Sequence, residues 1–349
     1  MDIERKLLNL AQRRSDVSLT QDISLEDFNK SIIYESTRNF SALSEKQRIE
    51  KYLIDSMAPV PKRSTDISIE EGERIKKHLE NELPNYGLDV EFRYQGSVIN
   101  NTHIVGKSDI DLLVITKKFE TLEKPQVPKN PYNGNVIEDL VELRARCIEI
   151  LKNSYSVADI TKGSKSITIS GGSLRRDIDV VPSNWFNSND YANTGLEYFR
   201  GIYILDNEKK ERNKNFPFYN KKLMEEKDNE TNGLYKGLVR LAKNIRCDAD
   251  EKVVQDISSY DIQALFYNMP SESFCNLKGL DIVPVATKYL ENLVNNESSF
   301  NTLIVPDKTR KIVEKMSYEQ LILLFSEFSS YNEILAHNTV RTAMNTMFL

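Results

Sequence analysis

Two short segments carry residues whose types and spacing suit phosphate chemistry. Tyr94-Gln95-Gly96-Ser97 is followed a short stretch later by Asp109-Ile110-Asp111. On a strand, alternate side chains share a face, so Asp109 and Asp111 are expected to point the same way, a few ångströms apart. Carboxylates held side by side repel unless a cation lies between them, which makes the pair a candidate for a hard divalent ion. Gly96 lets backbone approach closely, and the Gly-Ser turn offers N–H groups and a hydroxyl to phosphate oxygens. An isolated DxD is more often a solvated strand face or a turn cap; the glycine and serine upstream shift the reading toward phosphate.

A two-ion site needs a third carboxylate, because Mg²⁺ takes about six oxygens and bridging ions draw ligands from more than one strand. The run Asp177-Ile178-Asp179-Val180-Val181-Pro182 offers two. Asp179 directly precedes the apolar residues and belongs in the sheet, whereas Asp177 adjoins Arg175 and Arg176 and could be their ion partner. Asp179 is the preferred ligand. Further along, Arg240 and Lys243 share one helical face, and Ser258-Ser259-Tyr260 opens the next helix. A cation and a hydroxyl at a helix start suit a triphosphate, although alone they also describe a solvated face and an N-cap.

Histidine is excluded from the chemistry. His78, His103 and His337 are far apart, none lies in HExxH or beside a nucleophile signature, and each is expected at the surface or in a cap. Catalysis would therefore run on carboxylates with metal rather than on a charge-relay triad. Cys147, Cys247 and Cys275 form no CxxC and are expected to be core thiols, not a disulfide framework or a zinc knuckle.

Elements of alternating type must position these residues. Ser44 caps a helix with apolar Ile49, Tyr52, Leu53 and Met57 that stops at Pro59-Val60-Pro61. Ser68 and Glu71 have capping-box spacing ahead of Ile75, Leu79 and Leu83. The period then becomes two: Val90–Tyr94 and, beyond a turn at Gly106, Ile110–Ile115 read as strands. A proline-bearing loop over 119–135 leads to an amphipathic helix through Ile137, Leu140, Ile148 and Leu151. Ser166–Ser170 and Asp177–Val181 read as a strand pair joined through Gly171-Gly172. Beyond about residue 205 a polar stretch gives way to helices at Leu234–Ile245, Ser259–Tyr267, Ile282–Val294 and Tyr318–Leu335. The first forty residues read as short helices or an ordered arm, with Asp16 and Ser24 as candidate caps.

A chain of 349 residues implies about two domains. With 47 Lys and Arg against 52 Asp and Glu, the net charge of -5 argues against coating long nucleic acid. The most apolar stretch, Leu321–Phe325, is far shorter than the roughly 20 residues that span a bilayer, and the N-terminus mixes charge with apolar residues, so the expectation is a soluble, cytoplasmic protein with no membrane partner.

The set of Gly-Ser, DxD, the lone Asp179 before Val180-Val181-Pro182, Arg240-Leu241-Ala242-Lys243 and Ser259-Tyr260 resembles the nucleotidyltransferases related to cyclic GMP-AMP synthase and oligoadenylate synthase. It is most similar to their bacterial branch, the CD-NTases or second messenger oligonucleotide or dinucleotide synthetases, over roughly residues 45 to 300. The resemblance implies an α+β fold: a polymerase β-like nucleotidyltransferase palm with a mixed sheet over 44–205, preceded by an arm at 1–43, and an α-helical lobe at 206–349 closing the cleft. It implies that Gln95, Gly96 and Ser97 bind nucleotide, that Asp109, Asp111 and Asp179 hold two Mg²⁺ ions for which Mn²⁺ can substitute, that Lys243 and Ser259 meet the triphosphate, and that Tyr260 stacks on a base.

The implied reaction joins ribonucleoside triphosphates into a cyclic di- or trinucleotide with release of pyrophosphate. The product would act on a downstream effector in anti-phage defence, with a regulatory protein as a further partner. There is no Cys/His zinc insertion, and the acidic balance provides no face for long duplex DNA. The alternatives are a palm of the same fold that modifies a tRNA, a protein or a small molecule, and a catalytically inactive nucleotide-binding protein. Retention of Gly-Ser and all three aspartates speaks against inactivity; pyrophosphate release from mixed triphosphates distinguishes them.

Overall fold

A strand at the centre of a sheet is buried on both faces, and Ile178–Asn187 is buried at every residue but the half-buried Asp179. In the computed structural model, which describes residues 2–14, 40, 42–104 and 109–347, with side chains up to 336, it is the hub of a seven-stranded mixed sheet. The strands are β1 (Val90–Gln95), β2 (Ile110–Leu122), β3 (Asp159–Lys162), β4 (Ile167–Ser170), β5 (Ile178–Asn187), β6 (Arg200–Asp206) and β7 (Glu211–Asn215). The order is β1-β2-β5-β4-β3. The first residues of β5 pair with β4 and its last five with β6, which carries β7 at the edge. Among the described strands only β2 and β5 run parallel.

Alternation along β2 sorts its side chains between two cores. Ile110, Leu112 and Val114 pack with Ile75 and Leu79 of the helix Lys62–Glu82 and with Leu140, Leu143, Cys147 and Leu151 of the helix Val136–Ser154. Leu113 and Ile115 face the other way, with Val181, Trp185 and Ile202. Helices thus cover one face, and odd-numbered β2 residues look out from the other. Position 111 belongs to that second set.

The helical part gathers around the helices Leu234–Asp248, Ser259–Tyr267, Ile282–Val294 and Tyr318–Met347. The helix Glu45–Met57 joins it through Ile49, Tyr52 and Leu53. Ser44 forms a reciprocal capping box with Gln47. The N-terminal helix Ile3–Arg14 buries Leu7 and Leu10 in the same core. Arg13 reaches Asp248 with both terminal nitrogens, at 2.7 and 2.5 Å, and the Tyr52 hydroxyl donates to the same carboxylate at 2.9 Å.

The chain divides into a helical unit, Met1–Val60, Ile104–Gly106 and Met224–Leu349, and a sheet unit, Pro61–His103 and Lys107–Leu223. These limits differ from the expected ones at 43/44 and 205/206. The apolar stripe of Glu45–Met57 packs on the C-terminal helices rather than on the sheet, and β6 and β7 extend the sheet past residue 205. The polar composition of β7, Glu-Arg-Asn-Lys-Asn, hid an edge strand that needs only one partner.

Other expectations need correction. Ser68 does not start a helix: that helix begins at Lys62, and the Ser68 hydroxyl donates to the Ser64 carbonyl one turn back. β2 continues through Leu122 into the segment read as loop. His103 is buried, its Nε2 3.0 Å from Thr65 Oγ1, rather than at the surface. Of the three cysteines only Cys147 is a core thiol; Cys247 is half-buried and Cys275 exposed. Asp16, Ser24 and Gly106 lie outside the described residues, as does the side chain of His337. No helix among the described residues is long and apolar enough to cross a membrane.

Candidate active site

The parallel register of β2 and β5 sets Asp111 directly beside Asp179, and the antiparallel register of β1 sets Gln95 beside Asp111 on the other side. Adjacent strands lie about 4.8 Å apart, so paired residues present their side chains to the same face. Here that face is the one without the two covering helices. Asp109 precedes β2 by one residue and, two before Asp111, continues the same face.

The electrostatics reflect this gathering. Burial, then the charges of Asp179 and Asp109, push the Asp111 carboxyl up to about 7. Burial, then Asp179 and Asp177, push Asp109 up to about 6. Both acids resist ionisation chiefly because they are buried and further because other carboxylates are near, a pattern that a bound cation would relieve.

Gly96 begins the short turn that follows β1, with φ +87°. A β-carbon there would lie 2.0 Å from Asp111 Oδ2, so glycine suits the conformation and any side chain would have to displace the carboxylate. Ser97 follows, half-buried, and Gln95 Oε1 is buried with no hydrogen-bond partner among the described residues.

Asp179 is held in turn. Thr168, its partner across the β4–β5 hairpin, donates its hydroxyl to Asp179 Oδ1 at 2.5 Å. Thr168 is a site residue that the motifs do not single out. The signal was available, since the hairpin register that pairs Ile169 with Ile178 also pairs Thr168 with Asp179. Arg175 is not the partner of Asp177: it turns instead to Glu70 and Glu71.

Hard oxygen ligands on neighbouring strands and a glycine cradle fit a divalent ion better than any soft metal. Among the described residues, however, no three His, Cys, Asp or Glu side chains stand close enough to enclose an ion as they are. Coordination by all three aspartates therefore requires side-chain rotation, and the Thr168 bond to Oδ1 leaves Asp179 Oδ2 available.

The remaining expected site residues lie in the helical unit. Lys243 is 2% exposed on the helix Leu234–Asp248, and burial, reinforced by Arg246, lowers its amine to about 7. Its neighbour Arg240 is also buried and donates through Nε to the Met57 carbonyl at 2.8 Å. Ser258, not Ser259, caps the helix Ser259–Tyr267, accepting from the Asp261 N–H. Ser259 Oγ accepts from Arg246 at 3.3 Å. Tyr260 packs against the helical core with the Arg310 guanidinium 5.5 Å from its ring centre.

Residues 222–322 match the C-terminal helical domain of cGAS/DncV-like nucleotidyltransferases. The chain is 34% identical over 298 residues to the cyclic dinucleotide synthase CdnE of Yersinia aleksiciae, covering 83% of this chain and 78% of that protein. It is 35% identical over 254 residues to a c-di-GMP synthase of Lachnospiraceae bacterium strain RUG226, covering 66% and 71% respectively. Among solved structures, a STING-associated CdnE c-di-GMP synthase from Flavobacteriaceae sp. matches with a TM-score of 0.75 at 25% identity, over 96% of this chain and 98% of that one.

Proposed function

Because the chain belongs to the cGAS/DncV-like nucleotidyltransferases, the CD-NTase family, we propose that it joins two ribonucleoside triphosphates into a cyclic dinucleotide through carboxylate-held divalent ions on β2 and β5. The observation that carries this reading is the lateral pairing of Asp111 with Asp179 beside the Gly96 cradle. Asp109, Asp111 and Asp179 would hold two Mg²⁺, for which Mn²⁺ can substitute. When bound, the ions supply Lewis-acid activation of the ribose hydroxyl and charge neutralisation of the leaving pyrophosphate.

The chain's own groups do the positioning. Gly96 keeps Asp111 free to turn toward the ions, and Thr168 orients Asp179. Ser97 and the unpartnered Gln95 Oε1 adjoin them as hydrogen-bonding groups for the donor nucleotide. One ribose hydroxyl attacks the α-phosphorus of the other nucleotide and pyrophosphate leaves. The same step on the linear intermediate closes the ring. No histidine base is needed for either step.

The names of the similar proteins make c-di-GMP, from two GTP, the first product to seek. The released cyclic nucleotide would then act on a downstream effector in anti-phage signalling. Incubating the protein with all four ribonucleoside triphosphates and Mg²⁺, followed by mass spectrometry, tests the proposal. A cyclic dinucleotide with matching pyrophosphate is expected; triphosphates recovered intact would overturn it.

A further inference from the structure

The end of the β2–β5 ladder that carries the aspartates is weakly held by backbone. The Ile110 N–H reaches the Asp177 carbonyl only at 3.5 Å, beyond the usual 2.7 to 3.2 Å of such bonds. The β4–β5 hairpin that begins here turns through Gly171 and Gly172, both at positive φ. A loop of this kind does not by itself fix where β5 starts.

Side chains from one helix reach this segment. On the helix Lys62–Glu82, Ser64, Glu71 and Arg74 follow helical spacing and share a face. Glu71 is fully buried and uses both carboxylate oxygens, accepting from Arg175 Nε at 2.6 Å and from Arg74 at 2.8 Å. Arg74 also donates to the Ser173 carbonyl and hydroxyl, each at 3.1 Å. Arg175 takes Glu70 with its terminal nitrogen at 2.8 Å, and Arg176 donates to Ser64 Oγ at 3.0 Å. The segment 173–176 is thus clipped at three residues to a helix whose far side is buried in the core under β2. Such a buried carboxylate between two arginines is retained at a desolvation cost, and its geometry is specific.

We propose that Glu71, acting through Arg175, is a positioning residue for the metal-binding carboxylate Asp179. The proposal rests on the two-ion reading above. The clip fixes the start of β5, and with it the register that sets Asp179 beside Asp111 and opposite Thr168. Loosening it leaves the fold in place but lets Asp179 wander from the ions.

The test uses Arg175→Ala, Arg175→Lys and Glu71→Gln in the full chain, with Mn²⁺ binding by calorimetry in the absence of nucleotide as the first readout. Arg175 is partly exposed, so its removal spares the core. Expected are a loss of Mn²⁺ affinity of about 10- to 100-fold, a fall in kcat of up to about 10²-fold, and little change in nucleotide KM. Arg175→Lys, which keeps the charge but not the planar fork, should recover part of the affinity. Glu71→Gln and Arg175→Ala combined should cost little more than the worse single change, since both break one link. Wild-type Mn²⁺ affinity in Arg175→Ala, with a lowered melting temperature alone, would show that the clip only stabilises the fold. The Asp109→Asn/Asp111→Asn control separates the two failures: Mn²⁺ binding that persists there overturns the two-ion reading itself.

Discussion

Gly96 and Asp111 occupy one space: the position a side chain at 96 would fill lies 2.0 Å from Asp111 Oδ2. Gly96→Ala must therefore displace the carboxylate as well as adopt a left-handed backbone, which costs about 1–2 kcal/mol for a residue with a β-carbon. We expect a modest loss of stability and a loss of turnover of about 10²-fold or more, because a ligand moved by an ångström no longer meets the reacting atoms. Product formation and thermal melting on the same sample check this. Near-normal turnover in Gly96→Ala would mean that Asp111 does not need the space glycine leaves it.

Asp109 and Asp111 make stability depend on pH in a direction opposite to that of a salt-bridged acid. In an unfolded chain both titrate near 3.9, whereas the fold raises them to about 6 and about 7. Between those values the folded state holds protons that the unfolded chain has lost, so their contribution is full below about pH 4 and is lost as pH climbs through about 7. The expected outcome in EDTA is a melting temperature that declines over this window, a decline that Asp109→Asn/Asp111→Asn removes. Adding Mg²⁺ should recover stability at pH 7 in the wild type alone, and pyrophosphate release should vanish in the double variant. A double variant that melts and turns over like the wild type would sink the assignment.

The carboxylate pairs were legible because strand alternation is a property of a few consecutive residues. What positions them was less so: Thr168 could be read only from the β4–β5 register, and Glu71 and Arg175 meet from elements about a hundred residues apart, which no local period reports. Glu71 even carried a false local meaning, since its spacing from Ser68 imitates a capping box inside a helix that had already begun at Lys62. β6 and β7 were missed for a related reason. An edge strand such as Glu211–Asn215 needs no apolar alternation once β6 supplies its hydrogen bonds.

Asp179 and Asp177 occupy the same strand face by sequence, yet only Asp179 is paired with Asp111 and held by Thr168. Asp179→Ala should lose turnover by well over the roughly 10²-fold that an outer-shell change costs, and Asp177→Ala should lose much less. Thr168→Val, which removes one hydrogen bond to a charged oxygen, should cost about 1.5–3 kcal/mol at most. Initial rates at saturating Mg²⁺ rank the three. Asp177→Ala as the most damaging change would place the third ligand one alternate position earlier.

Lys243 offers a test of the helical unit that does not need turnover. A lysine in an unfolded chain titrates near 10.4, but burial in the helix Leu234–Asp248 lowers this one to about 7. Between those values the unfolded chain binds a proton that the folded one does not, so stability rises as pH climbs from about 7 toward about 10. Lys243→Met should flatten that rise. If Lys243 meets a triphosphate, the bound anion restores its charge, and nucleotide binding near pH 8 takes up a proton from the buffer. Calorimetric titration of a non-hydrolysable GTP analogue in two buffers of different ionisation enthalpy measures the uptake directly. The wild type should show it, and Lys243→Met should lose both the uptake and about 1–3 kcal/mol of binding, the scale of a charge-assisted hydrogen bond. Equal proton uptake and equal affinity in the two proteins would confine Lys243 to packing its own helix.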